Sequence, residues 1–419
     1  MARPWNWQRW GRASDMIHQS DLSGLVGQFG CLERFKRRKT DAALGVETRR
    51  DMAPGKMCAG AAVHAVLHRI LGNPRAAREL LTNGNAFFSR AQLERAYLEE
   101  FNRARGGRVV EWGKEKSERV HEESIAMLSG VLADLPARAE EIIATEVGFV
   151  FHLDGIWMTG ACDVIYRPRG SSRLALADWK TGKTKPHAIE LDHGWQSAIY
   201  SEAMKRGYFV RWDRVERHAR EGESHRVTLE RVCARIAAAW ESARKLEEEH
   251  LSARGEVVAG ELFGDLDQAL AELDRVVEDV GAERFDEFPV AIHYVHLRDF
   301  LPYQRKTTRM VQGRDDLAWQ GLSEPRKVTF EKGDRRGPAW LAVQRSEADA
   351  PRLLHPLRAV VAWVRFGRFP AIPGEKCSRC RYREPCLLDG YKPTGDAAKQ
   401  LSQITRRLDF DGFGGVDDI

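Results

Sequence analysis

Between Thr145 and Lys183, the sequence TEVGFVFHLDGIWMTGACDVIYRPRGSSRLALADWKTGK alternates apolar and polar residues and breaks at Asp154-Gly155 and Gly170-Ser171-Ser172. A period of two with turn residues at the breaks predicts three consecutive antiparallel strands. No other stretch constrains the fold as much, since a slip of one residue would turn every apolar side chain of a strand to the wrong face. Asp163 falls late in the second strand, and Asp178 and Lys180 end the third. A short turn joins these strands, so they should pair and set Asp163 beside Asp178. Two carboxylates held together repel, and a divalent cation is the simplest compensation; carboxylate oxygens suit Mg²⁺ or Mn²⁺. Lys180 projects from the same face as Asp178. An ammonium there can orient an attacking water and offset charge building up on phosphorus. An Asp–Lys pair on a sheet edge is the structural alternative that this triplet by itself leaves open.

The surroundings are those of an α/β protein. The segment 58–71, CAGAAVHAVLHRIL, places Val63, Val66, Leu67, Ile70 and Leu71 on one helical stripe, and 20–38 has similar spacing. Residues 86–143 are charged and helical, 193–206 predicts a helix, and 288–297 a strand. In 226–280, Leu229, Val232, Ile236, Ala239, Ala243 and Leu246, then Leu266, Leu270, Leu273, Val277 and Val280, alternate steps of three and four. Gly255 and Gly260 lie between the two runs, which reads as an antiparallel helical hairpin. The segment 352–367 is an amphipathic helix that Pro356 should kink or restart. Within 298–345 only short strand-like pieces are discernible.

A chain of 419 residues allows two to three domain-sized units, or one domain with a large insertion. Net charge is only +5, so nucleic-acid binding would need local clustering of cations. No apolar run has the length of a membrane span, and the basic, Trp-rich start lacks the apolar stretch of a secretory signal, so a cytoplasmic location without membrane contact is expected. Three of the seven cysteines, Cys377, Cys380 and Cys386, form C-x₂-C-x₅-C among arginines, which favour thiolates. Three thiolates leave a tetrahedral or cubane site one ligand short.

These elements together resemble the PD-(D/E)xK nuclease superfamily, in its RecB-type branch. That branch carries G-x-x-x-H on a helix, G-x-x-D on one strand, D-x-K-T-G on the next, and Q-x-x-x-Y on the following helix. The matching residues are Gly60 to His64, Gly160 to Asp163, Asp178 to Gly182, and Gln196 to Tyr200. The resemblance implies a restriction-endonuclease-like core, a central mixed β-sheet flanked by helices, with the hairpin as an insertion. It implies His64, Asp163 and Asp178 as metal ligands, with His68 as the alternative histidine and Glu146 at a frequent acidic position of secondary rank. It implies Lys180 as the catalytic amine, and Gln196 and Tyr200 as residues that position DNA or brace Lys180. The branch includes CRISPR-associated adaptation nucleases, the exonuclease V group and AddB-type nuclease domains. Some of its members hold a 4Fe–4S cluster on one upstream cysteine and a distal C-x₂-C-x₅-C, which implies Cys31, Cys377, Cys380 and Cys386 here. Cys58 is the alternative upstream ligand, and Zn²⁺ the alternative metal. Cys162 and Cys233 read as structural.

The expected organisation is a first part of the core over 15–205, a helical insertion over 206–285, a second part of the core with the cysteines over 286–390, and a flexible acidic tail over 391–419. The expected activity is metal-dependent exonucleolytic cleavage of single-stranded DNA with a free end, in repair, recombination or CRISPR- or phage-related processing. The chain has no helicase P-loop, so unwinding would need a helicase or recombination partner. A non-catalytic DNA-binding or assembly subunit that keeps the fold and cluster is the alternative. The tail could dock a partner through Phe410 and Phe413.

Overall fold

The computed structural model describes residues 16–366, apart from 20, 22–51, 84–87, 114–115, 183–194, 222, 224, 253–258, 288, 302–306, 313–324, 331–338, 344 and 346–348. The expected helix over 20–38 with Cys31, the segment with Cys377, Cys380 and Cys386, and the tail therefore lie outside the described residues.

The chain opens with β1 (Ile17–His18) and β2 (Met52–Pro54), and then three helices, α1 (Gly55–Leu71), α2 (Pro74–Asn83) and α3 (Arg90–Arg105). A Ser89–Gln92 capping box starts α3, and Gly106 ends it in the left-handed region at φ 57°. After β3 (Val109–Glu111) and α4 (Ser117–Arg138) come the three antiparallel strands, β4 (Ala139–Leu153), β5 (Ile156–Pro168) and β6 (Ala175–Lys180). The first of these starts at Ala139, inside the region expected to be helical, and its early part carries two register shifts against β5. Then follow α5 (Trp195–Arg206), β7 (Tyr208–Val210), α6 (Trp212–Arg217), the hairpin α7 (His225–Ser252) and α8 (Ala259–Val280), and β8 (Ala282–Glu283). The chain goes on through β9 (Ile292–His296), a 3₁₀ turn (Leu297–Phe300), β10 (Thr307–Gln312), β11 (Pro325–Phe330), β12 (Trp340–Val343) and α9 (Asp349–Arg365).

The main sheet has the order β12-β9-β6-β5-β4-β7-β8, and β1 adds to β5 beside Met158 and Thr159. It is mixed: β6 and β9 run parallel, as do β1 and β5, and the other pairs are antiparallel. With helices on both faces, this is the α/β architecture of a restriction-endonuclease-like fold. On one face Phe149, Phe151, Leu176 and Phe209 pack against α5 and α9. On the other, Val164, Ala177 and Trp179 pack against α1, α3 and α4. Each fully buried large apolar side chain contributes about 1.5–3 kcal/mol.

The hairpin docks through Leu229, Val232 and Ile236 on Val150, Trp157 and Val210. β7 and β8, which flank it in the chain, are strands of the sheet, so the hairpin grows from the sheet's own edge. The seam differs from expectation at two points. Gly260 lies inside α8 rather than in the connection, and Leu270 is exposed while Val276 is buried. The buried side of α8 is the one that carries Leu273, Val276 and Val280, and the two valines pack with α7 and the sheet edge. Pro356 does not interrupt α9, which runs on from Asp349 to Arg365; its missing N–H removes one helical hydrogen bond, that to the carbonyl of residue 352. Among the described residues, no helix is long and apolar enough to cross a membrane.

At Gly148 the strand β4 nearly touches α7: a Cβ there would sit 2.2 Å from Leu229 Cδ1. Gly148→Ala should therefore destabilise the fold by about 1–3 kcal/mol. Chemical denaturation should show Leu229→Ala costing less in that background than in the wild type.

Candidate active site

The pairs Thr145–Val164 and Val147–Cys162 place Glu146 opposite Asp163 across β4 and β5. The pair Val164–Ala177 makes Asp178 of β6 the next residue opposite Asp163. Three carboxylates thus occupy neighbouring positions on three adjacent strands. Glu146 has φ 47°, in the left-handed region, a conformation that costs a non-glycine residue about 1–3 kcal/mol.

Helices from the two faces of the sheet close on this row. From α1, His64 Nδ1 lies 3.4 Å from Asp163 Oδ1 and 3.9 Å from Glu146 Oε1. Small residues make that approach possible: a Cβ at Gly60 would come within 2.9 Å of Thr181 Oγ1. The glycine of G-x-x-D has a similar role, because a Cβ at Gly160 would meet Phe149 and Gln19 at 2.6–2.7 Å. His68 is engaged elsewhere, with its Nδ1 2.8 Å from Thr145 Oγ1 and its ring 5.5 Å from that of Trp212.

From α5, Gln196 Nε2 donates to Asp178 Oδ1 at 2.8 Å and to Tyr200 Oη at 2.8 Å, and Gln196 Oε1 accepts from Lys180 Nζ at 3.1 Å. The single Tyr200 proton can go to Asp178 Oδ1 or to the Ala161 carbonyl, each 3.1 Å away. Lys180 Nζ is 2.5 Å from Asp178 Oδ2. Of the two roles expected for Gln196 and Tyr200, these contacts are those of a brace on the Asp178–Lys180 pair. Tyr294 of β9, which the sequence did not single out, places its ring 5.4 Å from Lys180 Nζ. Its signal was hidden because nothing local says that β9 lies beside β6.

Electrostatics follow from this crowding. Burial disfavours a charged His64, yet Asp163, Glu146 and Asp178 outweigh it and hold the imidazole up at about 9. Burial and then the Asp163 charge push Glu146 up to about 8, against the pull of His64. Burial and Asp163 also raise Asp178, despite Lys180. For Asp163 burial is outweighed by His64, the Trp179 N–H at 2.5 Å and Lys180, so it stays below its ordinary value. Burial and Asp178 keep Tyr200 a phenol, able to donate.

His64, Glu146 and Asp163 each offer a ligand atom within 4.8 Å of the other two. Asp178 stands beside this trio, tied to Lys180, and Glu146 joins it although the sequence ranked that residue second. Two carboxylates and an imidazole fit a divalent ion such as Mn²⁺ or Mg²⁺. Cys58, Cys162 and Cys233 are buried free thiols. Cys162 and Cys233 sit in the cores under the sheet and hairpin.

The sequence matches the family model of the PD-(D/E)XK nuclease superfamily over residues 30–387. The chain belongs to that superfamily, and membership implies a metal-dependent phosphodiester hydrolase with DNA as its substrate. No curated protein matches the sequence.

Metal and protons compete for the same atoms, so binding should release protons from His64 and Glu146. Both pKa values are raised, so these groups hold their protons below about 8–9 and lose them above. Mn²⁺ affinity by calorimetry should rise between pH 6 and pH 9, and Glu146→Gln should flatten that rise.

Proposed function

We propose that the protein is a RecB-type exonuclease that degrades single-stranded DNA from an end in repair, recombination or CRISPR- or phage-related processing. The observation that carries the reading is the convergence of His64, Glu146 and Asp163 beside a braced Asp178–Lys180 pair. A divalent ion held by His64, Asp163 and Asp178, with Glu146 in reach, would supply Lewis acidity and neutralise charge on the scissile phosphate. Lys180, kept in place by Gln196 Oε1 and the Tyr294 ring, orients the attacking water and offsets charge on the phosphoryl oxygens. Tyr200 and Gln196 hold the Asp178 carboxylate in one orientation.

Preference for a single strand draws on the surroundings of α1. Trp212 of α6 lies between His68, one helical turn from His64, and His225, on which its ring stacks; exposed Arg211 just before α6 and exposed Arg214 and Arg217 on it surround this cluster. Clustered exposed cations suit the backbone of a single strand. We further propose that Cys31, Cys377, Cys380 and Cys386 hold a 4Fe–4S cluster, with Zn²⁺ as the competing occupant. A clip between distant positions stabilises by closing a long loop.

With Mn²⁺ or Mg²⁺, the wild type should shorten end-labelled single strands, while Asp178→Ala and Lys180→Ala should each lose at least about 100-fold in rate. Equal rates in wild type and Asp178→Ala would remove these residues from the site. Inert wild type that still binds DNA would favour an assembly subunit. Anaerobically purified protein should be brown, with iron and acid-labile sulfide in equal amounts; colourless protein with zinc would overturn the cluster.

A further inference from the structure

The catalytic strand β6 ends at Lys180, and Thr181 and Gly182 then leave the sheet. Thr181 packs against Gly60 of α1, but Gly182 has open space around it. A Cβ built at Gly182 would meet nothing within 4 Å. Both residues line a cleft of about 100 Å³ together with Lys56, Gly60, Glu123 and Arg298. Yet Lys180 needs a fixed position, since a displacement of about 1 Å can cost roughly 100-fold in rate.

The neighbouring strand offers a hold. β9 runs parallel to β6 with His296 in register with Lys180. His296 is 2% exposed, and its Nε2 lies 3.0 Å from the Gly182 carbonyl. On the other side of the ring, Nδ1 is 3.2 Å from Asp299 Oδ1, an ion-pair contact not aligned as a hydrogen bond. Asp299 is 1% exposed. A carbonyl only accepts, so Nε2 donates to Gly182; a carboxylate 3.2 Å from Nδ1 holds the ring in that orientation only with a proton on Nδ1 as well, since a bare lone pair there would be repelled.

The base of this arrangement is itself rigid. Asp299 belongs to the 3₁₀ turn 297–300, whose Arg298 binds Glu123 of α4 at 2.6 Å. Phe300 packs so closely on α4 that a Cβ at Gly130 would sit 2.4 Å from Phe300 Cβ.

We propose that His296 and Asp299 form a buried positioning pair that ties the turn after the catalytic strand to α4, and thereby fixes Lys180. The proposal rests on the reading of Lys180 as the catalytic amine. His296 does not touch substrate; it acts through the backbone of Gly182.

The test uses the full chain and end-labelled single-stranded DNA with Mn²⁺. His296→Phe keeps the volume and removes the donor; it should lower kcat roughly 10- to 100-fold and leave KM within about threefold. His296→Gln places an amide N–H₂ near the Nε2 position and should recover most of that loss. In a Lys180→Met background, His296→Phe should add less than about threefold, because the two act as one unit. Asp299→Asn should lower the same parameter by a smaller factor, and it serves if His296→Phe does not fold. In hydrogen exchange, His296→Phe should speed up the peptide covering 178–182 and leave α1 unchanged. The pair would be overturned by kcat within about twofold of wild type in His296→Phe, or by a full additional loss in Lys180→Met. If the wild type cleaves no DNA, the nuclease reading fails by itself. Hydrogen exchange then decides the pair, and an unchanged rate over 178–182 overturns it.

Discussion

Repulsion among Glu146, Asp163 and Asp178 is the constraint around which the rest of this molecule is arranged. Three strands in register bring these acids together, and burial deprives them of water's screening. The fold tolerates this only because positive charge is delivered to each end of the row. His64 meets Asp163 and Glu146, and Lys180 meets Asp178. The neighbouring carboxylates push His64 up to about 9, and burial with the Asp163 charge pushes Glu146 up to about 8.

The scaffold serves that arrangement through close approaches. Gly60 lets α1 come down on Thr181, and Gly160 lets Phe149 and Gln19 close over β5. The site therefore lies at the middle of β4 and β5 and the end of β6, between α1 from one face and α5 from the other. Each helix supplies what the strands cannot: α1 an imidazole, and α5 the amide and phenol that orient Asp178. The sheet also passes through β7 and β8, so the long hairpin is anchored on both sides rather than hung from a loop.

Much of this was legible in the sequence because it is local. Alternation over 145–183 predicts three strands, and short turns force their pairing, so Asp163 beside Asp178 follows from arithmetic. Helical spacing in 58–71 and 195–206 places His64, Gln196 and Tyr200 on defined faces. The motifs then indicate which side chains belong together, and the family match agrees with the superfamily that they resemble. Other features were not legible. Glu146 looked secondary because a period of two says nothing about the left-handed backbone that turns its carboxylate towards His64. Leu270 looked like a seam residue because spacing does not reveal which side of α8 faces water.

The sequence by itself determined the strands, the helix faces and the acidic, basic and amide groups that each would present, since these depend on neighbours a few residues apart. Only the tertiary structure decided that β9 runs parallel to β6, which brings Tyr294 under Lys180 and His296 to Gly182. Such pairings join residues more than a hundred positions apart. No local periodicity encodes them, and they are set by which assembly of whole strands and helices buries the most apolar surface while satisfying the backbone.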